Sequence, residues 1–391
     1  MLNKLFLVLF LLIGIAGISQ SVTFTNVSDN FEVEHSFGVG SQFGGGVSFV
    51  DFDQDGFDDL TFTTNEPLNM SFYSNDGTGL MYNFVPTDFL NDGNTKHPLW
   101  ADIDNDGDYD LFVSANDTGN RLYLNNGNLE LEDITEVSGL DLPSIDNNSF
   151  GSVFTDFNKD GNLDLYVVNR TLNGDLMPQY NLMHYGNGDG TFDNVGIETN
   201  TQDGNKASLA TVAFDYDSDG FDDVYVAQDK FDGNTMLKNE TGAYFSDTSS
   251  ESESLIYLDG MNADVADVDN NGFLDIYVTA SVTGSVLMMN NGDGTFTEEA
   301  LERGCKMLGE AGWGASFVDI DNDSDLDLFV SAAAFSIAYC DNLFINDGTG
   351  YFTEADASYG LESVPLDYSI GNMFGDINND GFPDLAVSNQ Y

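Results

Sequence analysis

The chain has 391 residues, of which 67 are acidic and only 10 are Lys or Arg, giving a formal net charge of −57. A surface this acidic repels a phosphate backbone, and tight binding to nucleic acid or an anionic membrane needs cations that displace counterions, so those partners are excluded. With 41% apolar residues and 13% aromatics the chain carries too much core-forming material for an acidic disordered tail, and its length suits two average domains or one repeat assembly.

Lys4 precedes an unbroken apolar run over residues 5–18, followed by Ser19, Gln20 and Ser21. The run matches a signal h-region and is shorter than the roughly 20 residues of a membrane span, so residues 1–19 read as a signal peptide cut after Ser19. The mature chain is then expected to be exported and soluble, with residues 20–391 forming a single domain. Cys305 and Cys340 are the only cysteines. Export permits them to pair, and two buried free thiols are the alternative.

A hydrophobic run ending in an aspartate cluster recurs seven times: DFDQDGFDD at 51–59, DIDNDGDYD at 102–110, DFNKDGNLD at 156–164, DYDSDGFDD at 215–223, DVDNNGFLD at 267–275, DIDNDSDLD at 319–327 and DINNDGFPD at 376–384. The spacings of 51, 54, 59, 52, 52 and 57 residues are those of four-stranded propeller blades, and period-3.6 patterns are missing. Short small-residue runs such as GGGVSFV and GWGASFV precede the aspartates and suit a crowded inner strand. Buried runs such as DLYVV and DIYVT follow them. A third strand ends in turns rich in Asn, Asp and Gly, as in RLYLNNG and VLMMNNGDG, and a fourth begins TFTEE or YFTEA. The fold class predicted is an all-β, seven-bladed β-propeller, with the aspartate loops between strands one and two. Repeat seven shows two strands before Tyr391, and VTFTNVS at 22–28 matches the fourth-strand pattern, so it is expected to close the last blade. The missing third strand reads as truncation of a longer chain.

Carboxylates at positions 1, 3, 5 and 9 of a nonapeptide with Gly at 6 form a cation-binding turn. Alternate side chains converge, the position 7 carbonyl can turn inward, and hard Ca²⁺ takes six to eight such oxygens. The expected ligands are Asp51, Asp53, Asp55 and Asp59; Asp102, Asp104, Asp106 and Asp110; Asp156, Asn158, Asp160 and Asp164; Asp215, Asp217, Asp219 and Asp223. The remaining sets are Asp267, Asp269, Asn271 and Asp275; Asp319, Asp321, Asp323 and Asp327; and Asp376, Asn378, Asp380 and Asp384. Crowded carboxylates repel by several kcal/mol per pair even at an effective dielectric of about 20, and bound calcium removes that frustration. A site with Kd of about 0.1 mM in about 1 mM calcium contributes about 1.4 kcal/mol, so up to seven sites contribute about 10 kcal/mol, comparable to a domain's net stability. Loops one, two and four keep the full carboxylate set and the Gly at position 6, and are expected to fill first. Loop six has Ser324 where a positive φ is expected.

The run of inner strand, DxDxDGxxD and NNGDGTF-like turn resembles the FG-GAP and VCBS repeats, the blades of integrin α-subunit propellers and of secreted bacterial proteins. GGGVSFVDFDQDG at 44–56 and NRLYLNNGN at 120–128 look most like the bacterial branch related to cartilage acidic protein. The resemblance implies a calcium-dependent propeller for adhesion or ligand binding, with an extracellular protein or polysaccharide partner. It also implies that calcium loops occupy one face and ligands the other. On that geometry Cys305 and Cys340 share the ligand face and are expected to form a disulfide, and Lys96, His97, Trp100, Arg303, Lys306 and Trp313 fall in its loops. Trp100 and Trp313 also start inner strands, where core packing is the simpler role.

No GxSxG, HExxH or P-loop occurs, and His35, His97 and His184 are not spaced as a metal triad. No catalytic residue is therefore assigned. The competing reading is an extracellular polysaccharide lyase or hydrolase on the same scaffold.

Overall fold

The computed structural model describes residues 22–31, 44–65, 69–78 and 93–390, apart from breaks at 117, 141–147, 172–178, 282, 334–340, 356 and 362–367, and also residues 33, 35, 37, 81–84 and 86. The expected leader at 1–19 lies outside the described residues, and no helix among those described is long and apolar enough to cross a membrane.

Apolar runs punctuated by Asn, Asp and Gly turns build six four-stranded antiparallel sheets, each in simple sequence order, and one two-stranded sheet. Blade five is representative, with strands Gly260–Ala266, Asp275–Ala280, Val286–Asn290 and Phe296–Glu298. First strands of adjacent blades pack against one another around the ring. Tyr368–Gly375 of the two-stranded sheet lies between Ala311–Val318 of blade six and Val47–Val50 of blade one. Six complete blades are thus seen where seven were expected. The two-stranded sheet of Tyr368–Gly375 and Asp384–Gln390 fills the remaining place because no third strand for it occurs among the described residues.

The segment 22–28, expected as a fourth strand, joins no sheet, and Ser28–Phe31 forms a helical turn. A strand needs a ladder beside it, and the neighbouring third strand is the missing one. The Phe24 N–H nevertheless donates to the Tyr359 carbonyl at 2.7 Å, just as Phe296 donates to Ser252 at 2.8 Å and Phe352 to Arg303 at 2.7 Å in complete blades.

The small-residue runs have a steric cause at the axis. A Cβ added at Gly46 would lie 2.5 Å from the Lys96 carbonyl, and one at Gly371 would lie 2.9 Å from the Gly45 carbonyl, so backbones meet there with no room for side chains. Away from the axis the core lies between blades rather than within them. Tyr225 and Met236 of blade four pack with Ile276, Val278 and Met288 of blade five, and Phe49, Phe62 and Tyr73 of blade one pack with Ile377 and Ala386 of the two-stranded sheet.

Polar staples cross the same interfaces. Hydroxyls on second strands donate to the first strand of the next sheet: Thr279 to the Trp313 carbonyl at 2.6 Å, Ser331 to Ile370 at 2.7 Å, and Ser388 to Gly45 at 2.8 Å, which joins the two-stranded sheet to blade one. Between blades three and four the corresponding link is a buried ion pair of Arg170 and Asp229. Asn at the end of a third strand makes a second kind of staple. The Asn290 Nδ2 group donates to the Leu274 carbonyl in its own blade at 3.2 Å and to Tyr216 in the preceding blade at 2.9 Å, while Oδ1 caps the Gly292 N–H at 3.0 Å. Asn75, Asn239 and Asn346 repeat the pattern, and the Asn75 amide reaches the Ile377 carbonyl of the two-stranded sheet at 2.7 Å. Replacing Asn290 with Ala strands two buried carbonyls, and the expected cost is about 1–3 kcal/mol in urea unfolding.

Candidate metal centres in the aspartate loops

Each second strand begins on the position 9 aspartate, which places the loop immediately ahead of it at one end of the ring. The loop is shaped by its own position 1 carboxylate. Asp51 accepts the Asp55 N–H on Oδ1 at 3.0 Å and the Gly56 N–H on Oδ2 at 2.9 Å, and the same two bonds recur from Asp102, Asp156, Asp215, Asp267, Asp319 and Asp376. Two positions of each loop take left-handed backbone. Position 6 is Gly in six loops, with Ser324 at φ 79° in the sixth loop, as anticipated. Position 4 is also left-handed in all seven, from φ 54° at Asn379 to 62° at Asn105 and Ser218, and the sequence reading missed it. Its frequent Asn, a residue tolerant of that region, was the available signal. The amides at position 4 also bridge loops: Asn322 donates to the Gly381 carbonyl at 3.0 Å and Asn379 to Gly56 at 2.8 Å, carrying the chain of loops from blade six through the two-stranded sheet to blade one.

Oxygens from positions 1, 3 and 9 converge in five loops, lying within 4.8 Å of one another in Asp51, Asp53 and Asp59; Asp102, Asp104 and Asp110; Asp215, Asp217 and Asp223; Asp267, Asp269 and Asp275; and Asp319, Asp321 and Asp327. These five triads could bind metal ions, and their all-oxygen donor set suits a hard divalent cation. Asp217 Oδ1 and Asp269 Oδ1 are buried without a hydrogen-bond partner, as expected of oxygens reserved for a cation. Loops three and seven carry Asn158 and Asn378 at position 3, so Asp156, Asp160 and Asp164, and likewise Asp376, Asp380 and Asp384, are not among the acidic triads. The position 5 groups Asp55, Asp106, Asp219, Asn271 and Asp323 also stand outside the triads. Each instead accepts the position 7 N–H, as Asp55 does from Phe57 at 3.0 Å.

The position 9 carboxylates are the buried members. Asp275 takes the Val268 N–H on Oδ2 at 3.1 Å and the Asn290 N–H on Oδ1 at 2.7 Å, so it ties the loop to the third strand of its blade. Burial, opposed by these N–H donors and reinforced by neighbouring carboxylates, pushes Asp59 and Asp223 up to about 8 and Asp110, Asp164, Asp275 and Asp327 up to about 7. Burial raises Asp384 as well.

A central cavity of about 510 Å³ runs between the first strands and is lined by His97, Asn262, Asp264, Trp313, Ser316 and Asn372, among others. Asp264 accepts the Phe317 N–H at 2.8 Å, and burial raises its carboxyl to about 6. The residues expected on the ligand face divide. Trp313 lines the cavity, whereas Trp100 stacks on Phe52 at 4.9 Å and donates from Nε1 to Thr61 at 3.0 Å, a packing role between blades one and two. Arg303 is displaced to the aspartate-loop end, where it lies 3.8 Å from Asp269 and over the Tyr351 ring, because its turn docks on the fourth strand of blade six. Lys306 pairs with Glu298, and Lys96 is buried with Nζ on the Gly44 carbonyl. Burial lowers all three histidines to about 4, so they are neutral at pH 7. Cys305 is a buried thiol between blades five and six, pushed up to about 12 by burial, and Cys340, its expected disulfide partner, lies outside the described residues.

The raised position 9 carboxyls fix the sign of a pH effect. A carboxyl whose folded value exceeds its unfolded one contributes stability that is complete below the unfolded value and lost as pH rises through the folded value. With chelator present, the melting temperature should therefore fall as pH is raised from about 5 to about 8.5. Excess divalent cation should flatten that slope, which differential scanning calorimetry would measure.

No curated protein matches the chain. Among solved structures, BBS1N in complex with ARL6DN is similar over 88% of both chains at 10% identity and a TM-score of 0.55 in a mercury-soaked crystal, and over 86% of both at 10% and 0.53 in a lead-soaked one. YCF48 bound to D1 peptide is similar over 70% of this chain and 71% of that one, at 8% identity and a TM-score of 0.41. At 10% identity the likeness to BBS1N is one of fold alone. The FG-GAP-like repeat matches residues 51–113, 102–167, 215–278 and 267–330, each segment running from one aspartate loop past the next, and with more than half of its length matched the chain belongs to the FG-GAP-like repeat family.

Proposed function

We propose that the chain is an exported binding module: a propeller of seven blade positions, stiffened at one end by Ca²⁺ in its aspartate loops, that binds an extracellular polysaccharide at its central cavity. The observation that carries this reading is the convergence of three carboxylates in each of five loops at the same end of the ring. Several converging oxygens, flexible loop backbone and no nitrogen or sulfur donor favour Ca²⁺ over Mg²⁺ or a transition metal. When bound, calcium supplies the charge that neutralises the crowded aspartates. The chain's own residues then hold the rest: position 1 shapes the turn, position 9 anchors it to the third strand, and the position 4 amides tie neighbouring loops together.

The seventh blade position is supported by Phe24. A Cβ at Gly360 would lie 2.3 Å from the Phe24 carbonyl, as one at Gly304 would lie 2.4 Å from Phe352 and one at Gly139 2.2 Å from Phe192, so the N-terminal segment stands where a fourth strand stands elsewhere. On this reading residues 20–391 make one domain, the leader at 1–19 directs export, and the resemblance of segments 44–56 and 120–128 supports kinship with the cartilage-acidic-protein branch. A carbohydrate ligand is favoured by the cavity chemistry, since Trp313 offers a stacking face beside the amides of Asn262 and Asn372 and the Asp264 carboxylate.

Native mass spectrometry should find several bound calcium ions, and EDTA should lower the melting temperature by about 10 °C or more, the shift expected from about 10 kcal/mol in a chain of this size. A melt indifferent to chelation would refute the calcium reading. On a glycan array the protein should retain a carbohydrate, and Trp313→Ala should weaken binding by about tenfold. Release of reducing or unsaturated ends from pooled polysaccharides would replace the binding module with an enzyme.

A further inference from the structure

Lys238 stands against the aspartate loop of blade four. It is the fourth residue of the third strand Thr235–Asn239, and its register is fixed by the next residue, whose N–H donates to Asp223 Oδ1 at 2.7 Å. Its ammonium contacts Asp217 Oδ2 and lies 3.1 Å from Asp219 Oδ2. The three side chains are only 22%, 17% and 31% exposed, so water screens this cluster incompletely. Blade one shows that this strand position points at the loop: Ser74 occupies it, and its hydroxyl donates to the position 3 carboxylate of Asp53 at 2.9 Å. The other occupants are Leu124, Tyr185, Met289 and Ile345, none of them cationic.

We infer that Lys238 is a built-in counter-ion for the fourth aspartate loop, which therefore takes up a divalent cation after loops one and two despite its full set of carboxylates. The inference rests on reading the loops as calcium sites. An ammonium on Asp217 Oδ2 and Asp219 Oδ2 leaves Asp217 Oδ1 facing the site, but it offsets negative charge that would attract the metal and competes for the Asp217 carboxylate. Calcium entering loop four meets a positive charge on one of its carboxylates, whereas in loop one it meets only a hydroxyl contact. Arg303 does not play this part at loop five. Its guanidinium is committed to Glu299 at 2.7 Å and the Thr349 carbonyl at 2.9 Å, with Asp269 more distant at 3.8 Å. Loop four is thus partly neutralised from within the chain when calcium is scarce, and the order of filling expected from carboxylate counting changes.

The test is calcium titration by calorimetry and native mass spectrometry on the wild type, Lys238→Met and Lys238→Gln. Met is chosen because Met289 fills the equivalent place in blade five. Expected is one site tightened by about tenfold or more in both variants, lost again when Asp215→Ala is added, while Asp215→Ala alone leaves the tightest wild-type phase unchanged. In chelator, Lys238→Met should melt below the wild type. Unchanged affinities and stoichiometry in variants shown to be folded by circular dichroism would overturn the inference while leaving the calcium reading intact. Failure of the wild type and both variants to take up calcium would overturn both.

Discussion

Carboxylate crowding at one end of a ring is the constraint from which the rest of this structure follows. In the six complete blades the position 9 aspartate opens the second strand, is buried, and accepts one N–H from its loop and one from the third strand, so it cannot retreat into solvent when charged. Asp51 and Asp53, or Asp267 and Asp269, are drawn to the same point because position 1 must also accept the N–H groups of the turn. The fold thus concentrates charge where its own backbone hydrogen bonds require acceptors. A cation in these triads relieves the repulsion without loosening the turn, and an ammonium at Lys238 does part of the same work within the chain.

The ring is held by contacts between blades more than by contacts within them. Hydrophobic clusters span neighbouring sheets, and the polar links that accompany them, hydroxyl to carbonyl near the axis and Asn amide to carbonyl nearer the loops, repeat with the blades. Blade three departs from both patterns. Gly186 stands at the position of the third-strand Asn, and the Arg170–Asp229 ion pair, in place of a hydroxyl link, joins the end of its second strand to blade four. At the junction of blade one and the two-stranded sheet, Ser388, Asn75 and Asn379 all cross, so that junction is stapled like the others.

The same topology sets loops and cavity apart. Aspartate loops leave the last residue of each first strand, while the cavity lined by Asn262, Asp264 and Trp313 runs between the first strands themselves. Rigidity is supplied at one end by groups common to every repeat. The residues lining the cavity differ from blade to blade, which is what recognition of a particular ligand requires.

Much of this was legible without coordinates, because the period of the aspartate clusters, the alternation of apolar runs and the Asn-Asp-Gly turns are local patterns, and local patterns suffice to name four-stranded blades and place the loops between strands one and two. The strain at Ser324 was legible for the same reason. What composition and spacing could not decide were relations between residues far apart in the chain: that position 5 caps its own turn while positions 1, 3 and 9 converge, that Trp100 packs inward while Trp313 lines the cavity, that Arg303 turns to the aspartate end, and that Lys238 lies against Asp217. The residues themselves established a repeating acidic propeller, since periodicity is written along the chain. Only tertiary structure determined which side chains share a site, since that depends on how strands from different parts of the chain are brought into register.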